Sequence, residues 1–207
     1  MLSISKIIAA GALAVSMLAG VSEAATVNFS ALPTVAIPNP TASATTGAVY
    51  QNVIGSVPGL RRSPWLDSPV DVGLLQNNPT AYYTSVSKRS SATYNFGGVR
   101  STLSFVWGSP DTYNTVEFLL GGNVVDSFTV VGLTLAQLFP ARFGTTGATA
   151  TFSNIGRLGI FDAVRFKSST YNAFEFASLS AVPIPAAGLL LLTALGGVAA
   201  LRRRKAA

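Results

Sequence analysis

The sequence predicts an all-β body, an antiparallel β-sandwich or jelly roll, flanked by an N-terminal signal helix and a C-terminal transmembrane helix. Apolar and polar residues alternate over short stretches of the body, which is typical of half-buried strands. The 207 residues include 19 glycines and 11 prolines, and these separate the stretches at the spacing of an all-β fold. Both ends of the chain are apolar and carry nearby cations. The predicted segments are therefore 1–24, 25–181 and 182–207.

The N-terminal segment has the three parts of a secretory signal peptide. Lys6 supplies the positive charge, residues 7–21 form the apolar region, and the small residues Ser22 and Ala24 flank Glu23. This pattern predicts cleavage between Ala24 and Ala25, and hence handling by the Sec translocon and signal peptidase. The alternative is an uncleaved anchor helix, for which the apolar stretch is short.

Eight segments of the body show the alternation expected of strands. They are residues 81–86, 92–96, 101–107, 114–120, 124–130, 149–152, 163–167 and 173–177. Residues 121–123, Gly-Gly-Asn, predict a hairpin turn, and Gly97 and Gly98 predict another turn. Residues 133–139 predict one short helical turn, whereas residues 25–60 predict an edge strand with loops.

The C-terminal segment resembles a membrane stop. Residues 186–201 are an uncharged run that is apolar except for Thr193, and as a helix it would rise about 24 Å, short of the roughly 30 Å hydrocarbon core. It can span if the following cations reach the interface, and these cations are expected to stay cytoplasmic. They occupy residues 202–205 and are Arg202, Arg203, Arg204 and Lys205. Prolines before the run keep the chain extended there.

A short proline motif directly precedes this run. It consists of Val182, Pro183, Ile184, Pro185 and Ala186. Motif, span and basic cluster together resemble the PEP-CTERM sorting signals in their VPLPA variant, with Ile184 where Leu is typical. The resemblance implies processing by an exosortase, a membrane protease-transpeptidase of Gram-negative bacteria. It also implies a transient stay in the inner membrane, followed by release to the cell surface or medium. The alternative is a plain single-pass anchor.

Three stretches of the body carry a second resemblance. They are residues 62–65 (Arg-Ser-Pro-Trp), 107–114 (Trp-Gly-Ser-Pro-Asp-Thr-Tyr-Asn) and 172–176 (Asn-Ala-Phe-Glu-Phe). In this order they resemble the exosortase-dependent surface proteins first named from a Nostoc protein. That resemblance implies a secreted β-sandwich of no established activity. Ala177 and Ser178 stand where the family pattern often has Asp-Asn.

The composition excludes several function classes. The chain has neither Cys nor His, so disulfides, thiol chemistry and Cys/His zinc sites are excluded, and the commonest general base is missing. The net charge of +6 is mostly terminal. Without Lys6, Glu23 and residues 202–205, nine cations and seven anions remain, which gives no support for nucleic-acid binding. No cofactor is expected.

Two ligand hypotheses concern the body. A glycan could stack on aromatic faces and bond to nearby polar groups, and the candidates are Trp65, Trp107, Tyr113, Asp111 and Asn114, with Tyr82 and Tyr83 as further aromatic residues. The alternative interpretation makes Trp107 a core residue and packs Tyr113 at a turn. Calcium is a weaker hypothesis, with Asp111, Asn114 and Glu117 as oxygen ligands. Residues 109–112 are also an ordinary turn.

The enzyme interpretation is the weakest. Asp111 and Glu117 could form the carboxylate pair of a glycosidase, but their spacing along the chain does not give their separation in space. The sequence therefore predicts a non-enzymatic surface or extracellular-matrix protein, with a structural or adhesive role linked to extracellular polysaccharide or biofilm. The main alternative is a carbohydrate-binding module, and a remote third is a secreted glycoside hydrolase.

Overall fold

The fold was analysed in a computed structural model that describes residues 25–33, 36–65, 81–130 and 147–184. Within these ranges the protein is all-β, without a helix. The ten strands are β1 (Thr26–Ser30), β2 (Ala44–Thr46), β3 (Val49–Val53), β4 (Tyr83–Val86), β5 (Ser90–Gly108), β6 (Asn114–Leu120), β7 (Asn123–Thr129), β8 (Gly147–Ser153), β9 (Phe161–Ser168) and β10 (Phe174–Pro183). The predicted helical turn at 133–139 lies outside the described residues.

All pairings in the sheet are antiparallel, as the sequence predicts. The main strand order is β3-β4-β10-β5-β9-β6-β7. β2 pairs with the first half of β5, β8 with its second half, and β1 with β8. β5 therefore exchanges its neighbours along its length: β2 and β9 flank its beginning, whereas β10 and β8 flank its end.

β5 differs from its prediction. Residues 92–96 and 101–107 were expected as two strands with a turn at Gly97 and Gly98, but the structure has one strand of 19 residues. The register with β9 shifts between Asn95 and Arg100, and Gly97 has a φ of +64°. Glycine adopts this left-handed conformation at little cost. The two glycines therefore mark an irregularity inside a continuous strand, not a reversal of the chain.

The core is rich in aromatic rings that link strands which are not neighbours in the sheet. Phe166 of β9 stacks on Phe176 of β10 with ring centroids 3.9 Å apart, and Phe118 of β6 contacts Phe152 of β8 at 5.4 Å. These contacts join side chains of strands that are separated by β5 or lie on different branches of the sheet. Such pairs add stabilisation beyond the area that they bury.

The hairpin of β6 and β7 confirms the predicted turn. Leu120 pairs with Asn123 across a loop formed by Gly121 and Gly122. Both glycines have positive φ, +58° and +82°, as a two-residue turn of type I′ requires. The backbone N–H of Gly121 also donates to Oδ2 of Asp162 at 2.8 Å, which ties the turn to β9.

The last strand runs into the proline motif. Val182 pairs with Thr102 and Pro183 with Arg100, so β10 continues two residues beyond the predicted end of the body at 181. Proline is tolerated at a strand end because it only removes a donor there. The predicted signal helix at 1–24, Pro185, Ala186 and residues 187–207 lie outside the described residues. No helix among the described residues is long and apolar enough to cross a membrane.

Candidate functional site

A cleft of about 450 Å³ lies where the three sequence stretches of the body meet. Arg62 belongs to the first stretch, Asp111 and Tyr113 to the second, and Asn172 and Glu175 to the third, and all five line the cleft. The stretches are far apart in the sequence, and β5, β6 and β10 bring them together. The cleft is therefore the candidate functional site.

One wall of the cleft is a tight turn. Val57 and Arg61 pair in an isolated antiparallel β-bridge. The N–H of Leu60 donates to the carbonyl of Val57 at 3.0 Å. Pro58 and Gly59 occupy the central positions, and Gly59 has a φ of +71°. Proline followed by a left-handed glycine is the sequence signature of a type II turn. The local sequence therefore accounts for the shape of this turn.

The first and second stretches are in close contact through Pro64 and Gly108. A Cβ atom built on Gly108 would lie 2.8 Å from Cγ of Pro64, and one built on Gly147 would lie 3.0 Å from the carbonyl oxygen of Pro64. Only a residue without a side chain allows this approach. A glycine at position 108 is therefore needed for Pro64, which follows the turn wall in the sequence, to pack against β5.

Tyr113 joins the second and third stretches. Its hydroxyl donates to Oδ2 of Asp111 at 2.6 Å and also lies 3.3 Å from the carbonyl oxygen of Asn172. Burial and the hydrogen bond to Asp111 raise the pKa of Tyr113 above its usual range. The ring of Tyr171 packs edge-on against Tyr113 with centroids 5.6 Å apart, and Tyr171 is 65% exposed. An exposed aromatic ring therefore packs against Tyr113, which itself lines the cleft.

Asn172 connects the third stretch to the turn wall through a hydrogen bond. Its Nδ2 donates to the carbonyl of Gly59 at 3.2 Å, and its Oδ1 accepts from the N–H of Lys88 at 2.9 Å. Both ends of the amide are therefore bonded to backbone. Asn172 positions the wall and leaves its neighbour Tyr171 at the surface.

Glu175 is the buried acid of the cleft and is only 2% exposed. Burial raises its pKa to about 7, and the Asp111 carboxylate contributes in the same direction, although the backbone N–H and the charge of Arg62 act against both. That N–H donates to Oε1 of Glu175 at 2.9 Å. Near neutral pH the cleft therefore contains a carboxyl group that can be either protonated or ionised.

Arg61 supplies positive charge to the same cleft. Its guanidinium carbon lies 5.3 Å from the ring centroid of Tyr50, a distance at which cation–π attraction operates. Its Nε is buried and has no hydrogen-bond partner among the described residues. An arginine that is held on an aromatic face at a cleft is suited to binding a carboxylate or hydroxyl oxygen.

The structure corrects part of the predicted glycan set. Trp107 is fully buried and stacks on Phe174 with centroids 4.9 Å apart, so it has no face for a sugar and is the core residue of the alternative interpretation. Trp65 is 2% exposed, and Asn114 is fully buried with Nδ2 donating to the carbonyl of Ser109. Tyr83 is buried as well. Of the five main candidates, Asp111 and Tyr113 line the cleft.

Glu117 lies in a different environment from Asp111. Its two carboxylate oxygens accept from Arg165 at 2.6 Å and from Lys167 at 2.7 Å, on strand β9. Although burial raises the pKa of Glu117, the bonds and charges of Lys167 and Arg165 outweigh that effect and lower it. Glu117 does not line the cleft, whereas Asp111 does. The described residues contain no group of three acidic, His or Cys side chains that could hold a metal ion.

The predicted processing residues lie at the edges of the described ranges. Val182 is 52% exposed, and Pro183 is exposed at the end of β10, next to Ile184. Ala25 is the first described residue and Ala24 lies outside, as do Pro185, Ala186 and the basic cluster at 202–205.

Sequence reasoning missed Glu175, Tyr171 and Asn172 as parts of one site. A signal for Glu175 was present, because it is the single charge in the run Ala-Phe-Glu-Phe-Ala. Phe174 and Phe176 point into the main core, so the acid between them must point to the opposite face, which residues 55–65 cover. No local sequence pattern indicated that Asn172 would form a hydrogen bond with Gly59.

The cleft combines a carboxylate, a buried carboxyl group, two arginines and tyrosine rings. Such a set can bind hydroxyl groups and stack on a ring face, and Glu175, whose pKa is raised to about 7, gives it a response to pH near neutrality. Comparisons with protein-family models, with curated proteins and with solved structures found no match to this chain.

Proposed function

We propose that this chain is an exported, non-enzymatic surface or extracellular-matrix protein that an exosortase processes. Its role is structural or adhesive, in a matrix of extracellular polysaccharide or biofilm. On this view the bent sheet is a β-sandwich of jelly-roll type, with β5 shared by its two layers. The ring contacts between β9 and β10 and between β6 and β8 support that description.

The observation that carries this proposal is the position of the proline motif relative to the folded body. β10 ends at Pro183, and the exposed Val182 begins the motif. The apolar run at 186–201 and the cations at 202–205 follow within the next residues. The motif thus begins at the surface of the body and is followed in sequence by the predicted membrane segment, an arrangement suited to a membrane protease. The partners would be the Sec translocon, signal peptidase, an exosortase and, before processing, the inner membrane.

The test is mass spectrometry of the C-terminal peptide from cell-surface and inner-membrane fractions of the native host. We expect the surface form to end between Val182 and Ala186. In a Pro183→Ala/Pro185→Ala variant the cations at 202–205 should remain attached, and the protein should stay in the inner membrane. A Pro58→Ala variant, changed outside the motif, should be processed normally. An intact end in every wild-type fraction would refute the proposal.

A second candidate function is carbohydrate binding at the cleft. The observation that favours it is the exposed Tyr171 ring, which packs on Tyr113 beside Asp111 and Arg61. Aromatic faces flanked by carboxylate and guanidinium groups match the alternating apolar faces and hydroxyl edges of sugars. The predicted ligand is an extracellular polysaccharide, and the stacking residue is now Tyr171 instead of a tryptophan.

Its test is retention of the purified protein by the host polysaccharide in affinity electrophoresis. Tyr171→Ala should reduce retention strongly, whereas Leu158→Ala, which removes an equally exposed apolar side chain elsewhere, should not. Equal retention of the two variants, or no retention of the wild type, would reject the cleft as a sugar site and would leave the processing proposal unaffected.

A further inference from the structure

The backbone nitrogen of Ala25 lies against a carboxylate. Its N–H donates to Oδ2 of Asp126, on strand β7, at 2.9 Å. Ala25 is 8% exposed and belongs to the main hydrophobic core, and its hydrogen bond to Asp126 is partly buried. The residue that follows, Thr26, begins the edge strand β1 and pairs with Ser153 of β8.

The Asp126 carboxylate accepts hydrogen bonds from three backbone N–H groups, which belong to different parts of the fold. Oδ2 also accepts from the N–H of Gly156 at 2.8 Å, and Oδ1 accepts from the N–H of Ser127 at 2.8 Å. Among the described residues, the ion pairs involve Glu117 and not Asp126. The carboxylate is thus bonded to neutral amides in a partly buried position. A cation in place of one of these neutral donors would add coulombic attraction to the hydrogen bond.

Cleavage of the predicted signal peptide would create that cation. Water adds across the amide bond between Ala24 and Ala25, which leaves a carboxylate on Ala24 and an ammonium group on Ala25. The nitrogen that already contacts Asp126 is the atom that becomes the ammonium. An α-amino group is mostly protonated at neutral pH, and a carboxylate partner favours the protonated form further.

We propose that Asp126 is a built receptor for the mature N-terminus, so that removal of the leader converts a neutral hydrogen bond into an ion pair between the Ala25 ammonium and the Asp126 carboxylate. This inference rests on the export step of the proposed function. A charge-assisted hydrogen bond is roughly twice as strong as a neutral one. Removal of the leader therefore strengthens the bond that joins the start of β1 to β7.

The surrounding turn supports the same conclusion. Gly156 has a φ of +56°, and a Cβ atom built on it would lie 2.9 Å from the carbonyl oxygen of Val125. In the turn after β8, Gly156 therefore packs closely against Val125 of β7, the residue before Asp126. Ala25, Gly156 and Asp126 form one junction where the first strand, the hairpin strand and the turn meet.

The test compares full-length chains in mild detergent. One begins at Ala25, the other carries a Gly-Ser extension before Ala25, and each is also made with Asp126→Asn. The extension keeps an amide at Ala25 and moves the ammonium away. We expect the chain beginning at Ala25 to melt about 3 °C above the extended chain, and we expect Asp126→Asn to abolish the difference. No difference in the wild type, or an equal difference in both backgrounds, would overturn the proposal.

A second measurement applies if Asp126→Asn does not fold. An acylating reagent at neutral pH should modify the α-amine of the chain beginning at Ala25 several-fold more slowly than that of the extended chain, and equal rates would overturn the proposal. The N-terminal mass of the exported protein checks the cut itself. A start other than Ala25 would remove the ion pair from the native protein, while exosortase processing would still be judged at the C-terminal end.

Discussion

Replacing Glu175 by glutamine tests the central electrostatic feature of the cleft. The pKa of Glu175 is raised from its usual 4.5 to about 7, chiefly by burial. At about 1.4 kcal/mol for each pKa unit, the ionised form is destabilised by about 3 kcal/mol in the folded state. The protonated form therefore contributes this stability fully below pH 4.5, and the contribution is lost as the pH rises through about 7.

The assay is thermal unfolding at pH 5 and pH 8. The wild type should lose about 2.5 kcal/mol, or about 8 °C in Tm, between these values because of Glu175, and the Glu175→Gln variant should lack this loss. Glutamine keeps an oxygen that can accept from the N–H of Arg62. Glu117→Gln is the matched control, because the pKa of Glu117 is lowered and its contribution disappears only at more acidic pH. If Glu175→Gln shows the same dependence on pH as the wild type, the buried acid does not titrate as described.

Two further changes test the packing around the cleft. Trp107→Ala should lose about 3–5 kcal/mol of unfolding free energy in urea titration, because it opens a cavity in the aromatic core; a loss below 1 kcal/mol would contradict the burial of its ring. Gly108→Ala should lose about 1–3 kcal/mol because its methyl group would meet Pro64 at 2.8 Å, whereas Gly98→Ala, whose nearest described neighbour lies 3.6 Å away, should change little. Equal effects of the two glycine replacements would argue against the close approach.

Strand identity followed from local sequence, and strand pairing did not. Alternation along residues 114–120 and 124–130, with two glycines between them, sufficed for the β6–β7 hairpin, because the turn and the register are set within one short segment. The pairing of Val27 with Phe152 joins remote segments and has no local signal. The continuity of β5 was missed because Gly97 and Gly98 have the same sequence pattern in a bulge as in a turn.

The same distinction between local sequence patterns and long-range contacts applies to the cleft. Asp111 and Tyr113 were named because they stand close together in the stretch 107–114, and they do line the cleft. The burial of Trp107 agrees with the interpretation of it as a core residue, whereas local sequence did not show whether Trp65 would be covered. Glu175 acquires its role from burial under residues 55–65, and that environment arises only after β10 pairs with β5.

The sharing of β5 between both parts of the sheet has a kinetic consequence. Its partners come from β2 near the beginning of the body and from β8, β9 and β10 at its end. Most native pairs therefore close large loops, and chains of such high contact order fold in milliseconds to seconds instead of microseconds. A nascent body that lacks β8–β10 has no neighbours for the second half of β5 and stays unfolded until those strands emerge. Such delayed folding is compatible with threading through a translocation pore, and stopped-flow refolding of the intact protein measures it directly.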